Sequence, residues 1–172
     1  MLPAMSTVTI GTRRAGLQDA PAIAAVHDAS WSNAYGGMVP HAALTKMVRR
    51  RGEKWWADAI RRATIVLVLE IAGKVVGYAT LGRNRVRTLP HEGEVYELYL
   101  LPEYQGVGLG TRLFLAARGE LQRRGMSGAV VWVLADNARA ISFYRNAGGR
   151  PVAEGSESFD GERLVKYAFA WD

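Results

Sequence analysis

Cysteine is absent from this 172-residue chain. Disulfides, thiolate metal sites and a cysteine nucleophile are excluded with it. Also missing is an apolar run of about eighteen residues, the length that a membrane-spanning helix needs. The N-terminal Met1-Leu2-Pro3-Ala4-Met5 has neither the basic region nor the apolar stretch of a secretory signal. Met5 is an alternative start, residues 1–6 are expected to be disordered, and the expected compartment is the cytoplasm. Repeats, low-complexity tracts and long linkers are lacking, so the length fits one domain over 1–172. Apolar residues make up 49% of the chain, enough for one sizeable core. Acidic residues are outnumbered 22 to 16, a net charge of +6. A basic surface suits a polyanion: nucleic acid, an anionic membrane face or a phosphate-rich cofactor. With no dedicated RNA motif, nucleic acid is disfavoured. Arginine greatly outnumbers lysine, which favours bidentate phosphate contacts or reflects a GC-rich genome.

The local pattern alternates strands and helices. Thr7 to Ala15 reads as a first strand. Asp19 caps a helix to about Ser30, with Pro21 in its first turn. Gly36-Gly37 and Pro40 break the chain before a second helix from His41 to Arg62, whose Arg49-Arg50-Arg51 cluster is expected on a solvated face. Thr64 to Ile71 and Lys74 to Leu81 form a hairpin about Ala72-Gly73. A basic loop, Arg83 to His91, leads to a strand from Glu94 to Leu101 that Pro102 ends. A helix follows to about Arg124, its buried stripe marked by Leu109, Leu113, Ala117 and Leu121, and Gly125 stops it. Ala129 to Leu134 is an apolar run suited to a central strand. Asn137 caps a short helix ended by Gly148-Gly149, and a hairpin about Asp160-Gly161 closes the chain. The order β-α-α-β-β-β-α-β-α-β-β predicts an α/β fold with a mixed sheet and four helices.

Between strand and helix lies Gln105-Gly106-Val107-Gly108-Leu109-Gly110-Thr111. Alternate glycines allow a tight turn and close approach of a ligand to the backbone. Free N–H groups and the helix dipole there attract a pyrophosphate. A Gly-rich turn with no ligand is the plainer alternative. The Walker loop is not matched, since Gly110 precedes Thr111-Arg112. Nor is the dinucleotide fingerprint, since only Leu109 separates the last two glycines.

These residues resemble the GCN5-related N-acetyltransferase (GNAT) family. Its Gln/Arg-x-x-Gly-x-Gly/Ala signature is met by Gln105, Gly108 and Gly110. The stretch Leu98 to Tyr104 resembles the family's fourth strand and its exit. The second motif, an Asn followed by a helix carrying a Tyr, is met by Asn137 to Tyr144. The resemblance spans Thr7 to Trp171. It implies a mostly antiparallel sheet, splayed between the fourth and fifth strands, with about four flanking helices. It also implies acetyl-CoA as cosubstrate and no metal. Leu98, Tyr99 and Leu100 would carry the pantetheine contacts, the backbone of Leu98 and Leu100 holding the arm and the acetyl carbonyl. The amides of Gly106, Val107, Gly108, Leu109, Gly110 and Thr111 would hold the pyrophosphate beside Gln105. Asn137 would contact the arm, and Tyr144 would lie near the sulfur. The chain departs from the family's usual Gly-Phe at Gly148-Gly149, an expected loss of one packing group. It also carries Trp132 where ribosomal-protein acetylases often carry Glu.

Acetyl transfer needs a base for the amine, stabilisation of the carbonyl oxygen and a proton for the thiolate. Without cysteine, direct attack in a ternary complex is expected. Glu94 is the leading base, by its place in the family's pattern. Glu97 is an alternative that points to the opposite face of a regular strand unless a bulge changes the parity. His91 is a third. Trp31, Tyr35 and Met38 are candidate lining for the acceptor, which is an amine of a small molecule, peptide N-terminus or lysine. Arg83, Arg85 and Arg87 could meet an acidic substrate or a cofactor phosphate, or be solvated. A non-catalytic acyl-CoA-binding module and an RNA-directed acetyltransferase are the competing functions. A homodimer stays open.

Overall fold

Among the described residues seven strands make one sheet in the order β1-β2-β3-β4-β5-β7-β6. The structure is a computed structural model and describes residues 8–172. The expected disorder of 1–6 and the strand start at Thr7 lie outside the described residues. The strands are β1 (Ile10–Arg14), β2 (Ile65–Ile71), β3 (Lys74–Arg83), β4 (Gly93–Leu100), β5 (Ala129–Leu134), β6 (Arg150–Phe159) and β7 (Glu162–Trp171). All neighbours are antiparallel except β4 and β5. That parallel pair holds only Gly93↔Ala129 and Glu94↔Val130 in register before the strands part. Both expected hairpin turns form with two positive-φ residues, Ala72 (49°) with Gly73 (80°) and Asp160 (48°) with Gly161 (84°). That geometry matches the right-handed strand twist.

Among the described residues five α-helices cover the sheet: α1 (Ala20–Tyr35), α2 (His41–Arg50), α3 (Glu53–Arg61), α4 (Leu109–Arg123) and α5 (Ala138–Asn146). Alternation along β2 sorts its side chains between two cores. Ile65, Leu67 and Leu69 join Leu113, Phe114 and Ala117 of α4, while Val66 and Val68 join Ile23 and Val26 of α1 and Trp56 of α3. Among the described residues no helix is long and apolar enough to cross a membrane.

Four expectations need correction. The helix 41–62 is two helices, broken at Arg51-Gly52. Gly52 is a weak helix former with extended backbone there (φ −74°, ψ −175°). The break turns Arg51 inward, so it leaves the expected solvated face. It pairs with Glu97 and lies 4.5 Å from the Trp55 ring centroid. Helix α1 runs past Ser30 to Tyr35, where Gly36 ends it. Asp19 precedes α1 but makes no side-chain cap. Its carboxylate accepts from the Gly16 N–H at 2.8 Å and pairs with Arg13 at 2.7 Å.

Candidate active site

A bulge in β4 organises the site. Thr80 of β3 faces Glu97, and the next residue, Leu81, faces Val95. Tyr96 is therefore extra, and the alternation of side chains slips by one. Val95, Leu98 and Leu100 all turn to the α4 core, while Glu94, Glu97 and Tyr99 all turn to the other face.

Beyond the point where β4 and β5 part lies a cavity of about 420 Å³. Its walls are Leu98 to Leu100 of β4, the Gln105–Thr111 loop, and Asn137 and Tyr144 of the α5 region. Gly106 (φ 81°) and Gly108 (φ 83°) need the left-handed backbone, and a Cβ on either would meet nothing within 4 Å. Their freedom is thus used for the turn, and it leaves the N-terminus of α4 open to a ligand. Gly110 serves packing, since a Cβ there would lie 3.2 Å from the Phe143 ring. Asn137 caps α5, its Oδ1 accepting from the Ala140 N–H at 3.2 Å. The Leu100 carbonyl accepts from Ser30 Oγ at 2.9 Å and Gln105 Nε2 at 3.2 Å. Gln105 thereby ties the glycine loop to the strand end.

A second cavity of about 450 Å³ lies on the other side of Tyr99, which lines both. Trp31, Tyr35 and Trp132 wall it, and Glu94 and Glu97 face it. Glu94 is 1% exposed. It accepts from Arg85 Nη2 at 2.8 Å, from Arg85 Nε at 3.3 Å and from the Arg85 backbone N–H at 3.0 Å. Glu97 is held by Arg51, by the Tyr78 hydroxyl at 2.9 Å and by Thr80. The Tyr35 and Tyr99 hydroxyls are hydrogen-bonded where the cavities meet. Burial pushes Tyr35 up to about 12 and Tyr99 well above the usual phenol range. Burial, with Tyr35 nearby, also raises Tyr144. All three phenols stay protonated at neutral pH and can donate hydrogen bonds. Among the described residues no group of three His, Asp or Glu side chains is placed to share a metal ion.

A sequence model of the acetyltransferase (GNAT) family matches residues 24–148. The chain belongs to that family. It is an acetyltransferase by family, fold and relatives. YuaI of Bacillus subtilis (strain 168), an uncharacterized N-acetyltransferase, is 32% identical over 162 residues, covering 94% of this chain and 92% of that protein. The PaiA N-acetyltransferase from Thermoplasma acidophilum, solved in complex with coenzyme A, shares the fold. Its TM-score is 0.74 at 21% identity, over 92% of this chain and 98% of that one. YncA from Salmonella typhimurium, solved with its cofactor acetyl-CoA, gives a TM-score of 0.65 at 23% identity, over 94% and 92% of the two chains.

In this acetyltransferase, Leu98, Tyr99, Leu100, Gln105, Gly106, Gly108, Gly110, Thr111, Asn137 and Tyr144 line the first cavity. The Val107 and Leu109 side chains do not. Val107 is 71% exposed at the loop tip, and Leu109 is buried in the α4 core. Of the expected acceptor lining, Trp31 and Tyr35 face the second cavity and Met38 the first. His91 lies outside both cavities, packed near Gly128 with Asp172 at 3.5 Å. The Gly148-Gly149 departure costs no packing group. A Cβ on Gly149 would lie 2.5 Å from the Trp171 ring, which fills that space from β7 and donates to the Ala147 carbonyl at 3.0 Å. Sequence reasoning missed Ser30, Asn33 and Ala34, which line the first cavity from α1. An unbroken helical pattern up to Gly36 was the available signal. It also missed Arg51, for which the helix-weakening Gly52 was the only hint.

Proposed function

We propose that this acetyltransferase moves an acetyl group from acetyl-CoA to a primary amine by direct attack in a ternary complex. The observation that carries the reading is the meeting of two cavities at Tyr99, one bordered by the glycine loop and Tyr144, the other by two carboxylates. The open space over Gly106 and Gly108 at the α4 N-terminus fits a pyrophosphate. The gap between β4 and β5 fits an extended arm. Acetyl-CoA supplies an activated acyl group as a thioester. The Gly106–Thr111 amides would bind the phosphates. The strand residues Leu98, Tyr99 and Leu100 and the amide of Asn137 would hold the arm. The Leu100 carbonyl is already engaged by Ser30 and Gln105, which leaves that contact to other groups of the strand.

Tyr144 is assigned the proton donor to the departing sulfur, which its protonated state supports. Glu94 is assigned the base. Both carboxylates hold an arginine, but Arg85 on Glu94 is a loop residue 68% exposed on its side chain, and Arg51 on Glu97 is 26% exposed. Arg85 can move into water and release the lone pairs of Glu94, whereas Arg51 is stacked on Trp55. The test is thiol release from acetyl-CoA across a panel of amines, with ligand-induced thermal shift as a second readout. Wild type should release coenzyme A with at least one amine and gain melting temperature with acetyl-CoA. Gly108→Glu should lose the ligand-induced gain, because it puts bulk and negative charge at the phosphate position. Equal gains in both proteins would overturn the loop assignment.

A further inference from the structure

The Arg85 contact with Glu94 has the form of a cation in a recognition site. The guanidinium carbon lies 4.4 Å from the centroid of the Tyr96 ring, and two of its nitrogens donate to Glu94. A carboxylate beside an aromatic face is what an organic cation needs. The two sides of the contact differ in burial. Glu94 is 1% exposed on a central strand, while the Arg85 side chain is 68% exposed on the loop after β3. The seat is fixed and its occupant is displaceable.

The other charges facing this cavity offer no equal seat. Glu97 is held by Arg51, which stacks on Trp55. Glu157 lies 3.9 Å from Lys166, itself over the Trp132 ring at 4.9 Å, and its side chain is 53% exposed. Glu94 alone combines deep burial with a partner that leaves without disturbing the core. The loop survives that departure. The Arg85 backbone N–H still donates to Glu94, the Asn84 side chain donates to the His91 carbonyl at 2.8 Å, and the Val86 N–H donates to Asn84 Oδ1 at 2.9 Å.

We infer that Arg85 occupies the seat of the acceptor's ammonium group, so that the acceptor is an amine protonated at neutral pH that enters by displacing Arg85 from Glu94 and Tyr96. This rests on the proposed function: with Glu94 as the base, the cavity that Glu94 faces receives the acceptor amine. One cation replaces another, so the buried carboxylate is paired both in the resting state and with the amine bound. A neutral arylamine has no charge with which to compete, and an anionic group meets cations already engaged. Arg85 thus selects for cationic amines and lowers their apparent affinity by the fraction of time it fills the seat.

The experiment is direct binding of benzylamine, a cation at neutral pH, and of aniline, neutral there and of similar shape. Wild type, Arg85→Ala and Arg85→Ala/Glu94→Gln are titrated by calorimetry with no acetyl donor present. Arg85→Ala should bind benzylamine about tenfold more tightly than wild type, as expected if the seat is open about a tenth of the time. Aniline should be unaffected, and the double variant should lose the gain. Weaker or unchanged benzylamine binding in Arg85→Ala overturns the inference. So do an equal gain for aniline and no benzylamine binding in either protein. The readout needs no turnover. A protein that binds benzylamine as expected but never releases coenzyme A refutes the proposed transfer alone. One that transfers acetyl groups but binds benzylamine less tightly without Arg85 refutes only the seat.

Discussion

Tyr144 is a buried phenol at the edge of the first cavity, and burial keeps its proton in place. Its Phe variant keeps the ring that packs on Phe114 at 5.5 Å and removes the donor alone. Tyr144→Phe should lower kcat by about 10²-fold, the lower end of a general-acid contribution. The coenzyme A Kd should move little. An unchanged kcat in steady-state assays would make Tyr144 a packing residue. The two carboxylates are separated by a parallel comparison. Glu94→Gln should lower kcat by about 10²-fold or more. Glu97→Gln should spare kcat and cost stability, about 1–3 kcal/mol, because Arg51 and Tyr78 lose a charged partner. A Glu97→Gln protein that is stable but slow would reverse the base assignment.

At the scale of elements, the bulge in β4 and the break between α2 and α3 act together. The bulge turns Glu97 to the face that carries Glu94, and the break delivers Arg51 to meet it. Neither device shows in hydrophobic periodicity, because each is only one or two residues of irregular backbone chosen by packing on a neighbouring element. By contrast, the α4 stripe, the two hairpin turns and the Asn137 cap were legible, since each depends on residues within one turn of each other. The end of α5 gives a test of packing between elements. Gly149→Ala puts a methyl group against the Trp171 ring at 2.5 Å and the Tyr144 carbonyl at 2.9 Å. It should destabilise the protein by about 1–3 kcal/mol, the usual cost of overpacking. Chemical denaturation measures it, and a variant as stable as wild type would show that Trp171 moves aside freely.

At the scale of the whole molecule, the α1 side of the sheet encloses His27, which is fully buried with its ring 4.6 Å from that of Trp31. Burial, with the nearby Arg51 charge, pulls it down to about 4 from 6.5. The unfolded chain therefore takes up this proton at a higher pH than the folded one. Acid favours unfolding from about pH 6.5 downward, and the effect is complete near pH 4. The loss reaches up to about 3 kcal/mol, from a shift of roughly two and a half units. His27→Phe should flatten the stability profile between those limits, while wild type declines through them. Urea melts across that range decide it, and parallel profiles would place the acid sensitivity elsewhere.

The sequence by itself determined the family, the order of most elements and the glycine-rich turn before α4. These rest on local chemistry: glycines where φ is positive, a cap residue before a helix, apolar residues at the period of a strand or helix. Tertiary structure alone decided which carboxylates share a cavity, which arginines hold them and which ring fills the space at Gly149. Those outcomes depend on a strand parity altered by one bulged residue and on side chains from elements far apart in the chain, such as Arg51 with Glu97 and Gly149 with Trp171. A one-residue slip in a strand exchanges its two faces, and no local pattern records on which side of Tyr96 that slip falls.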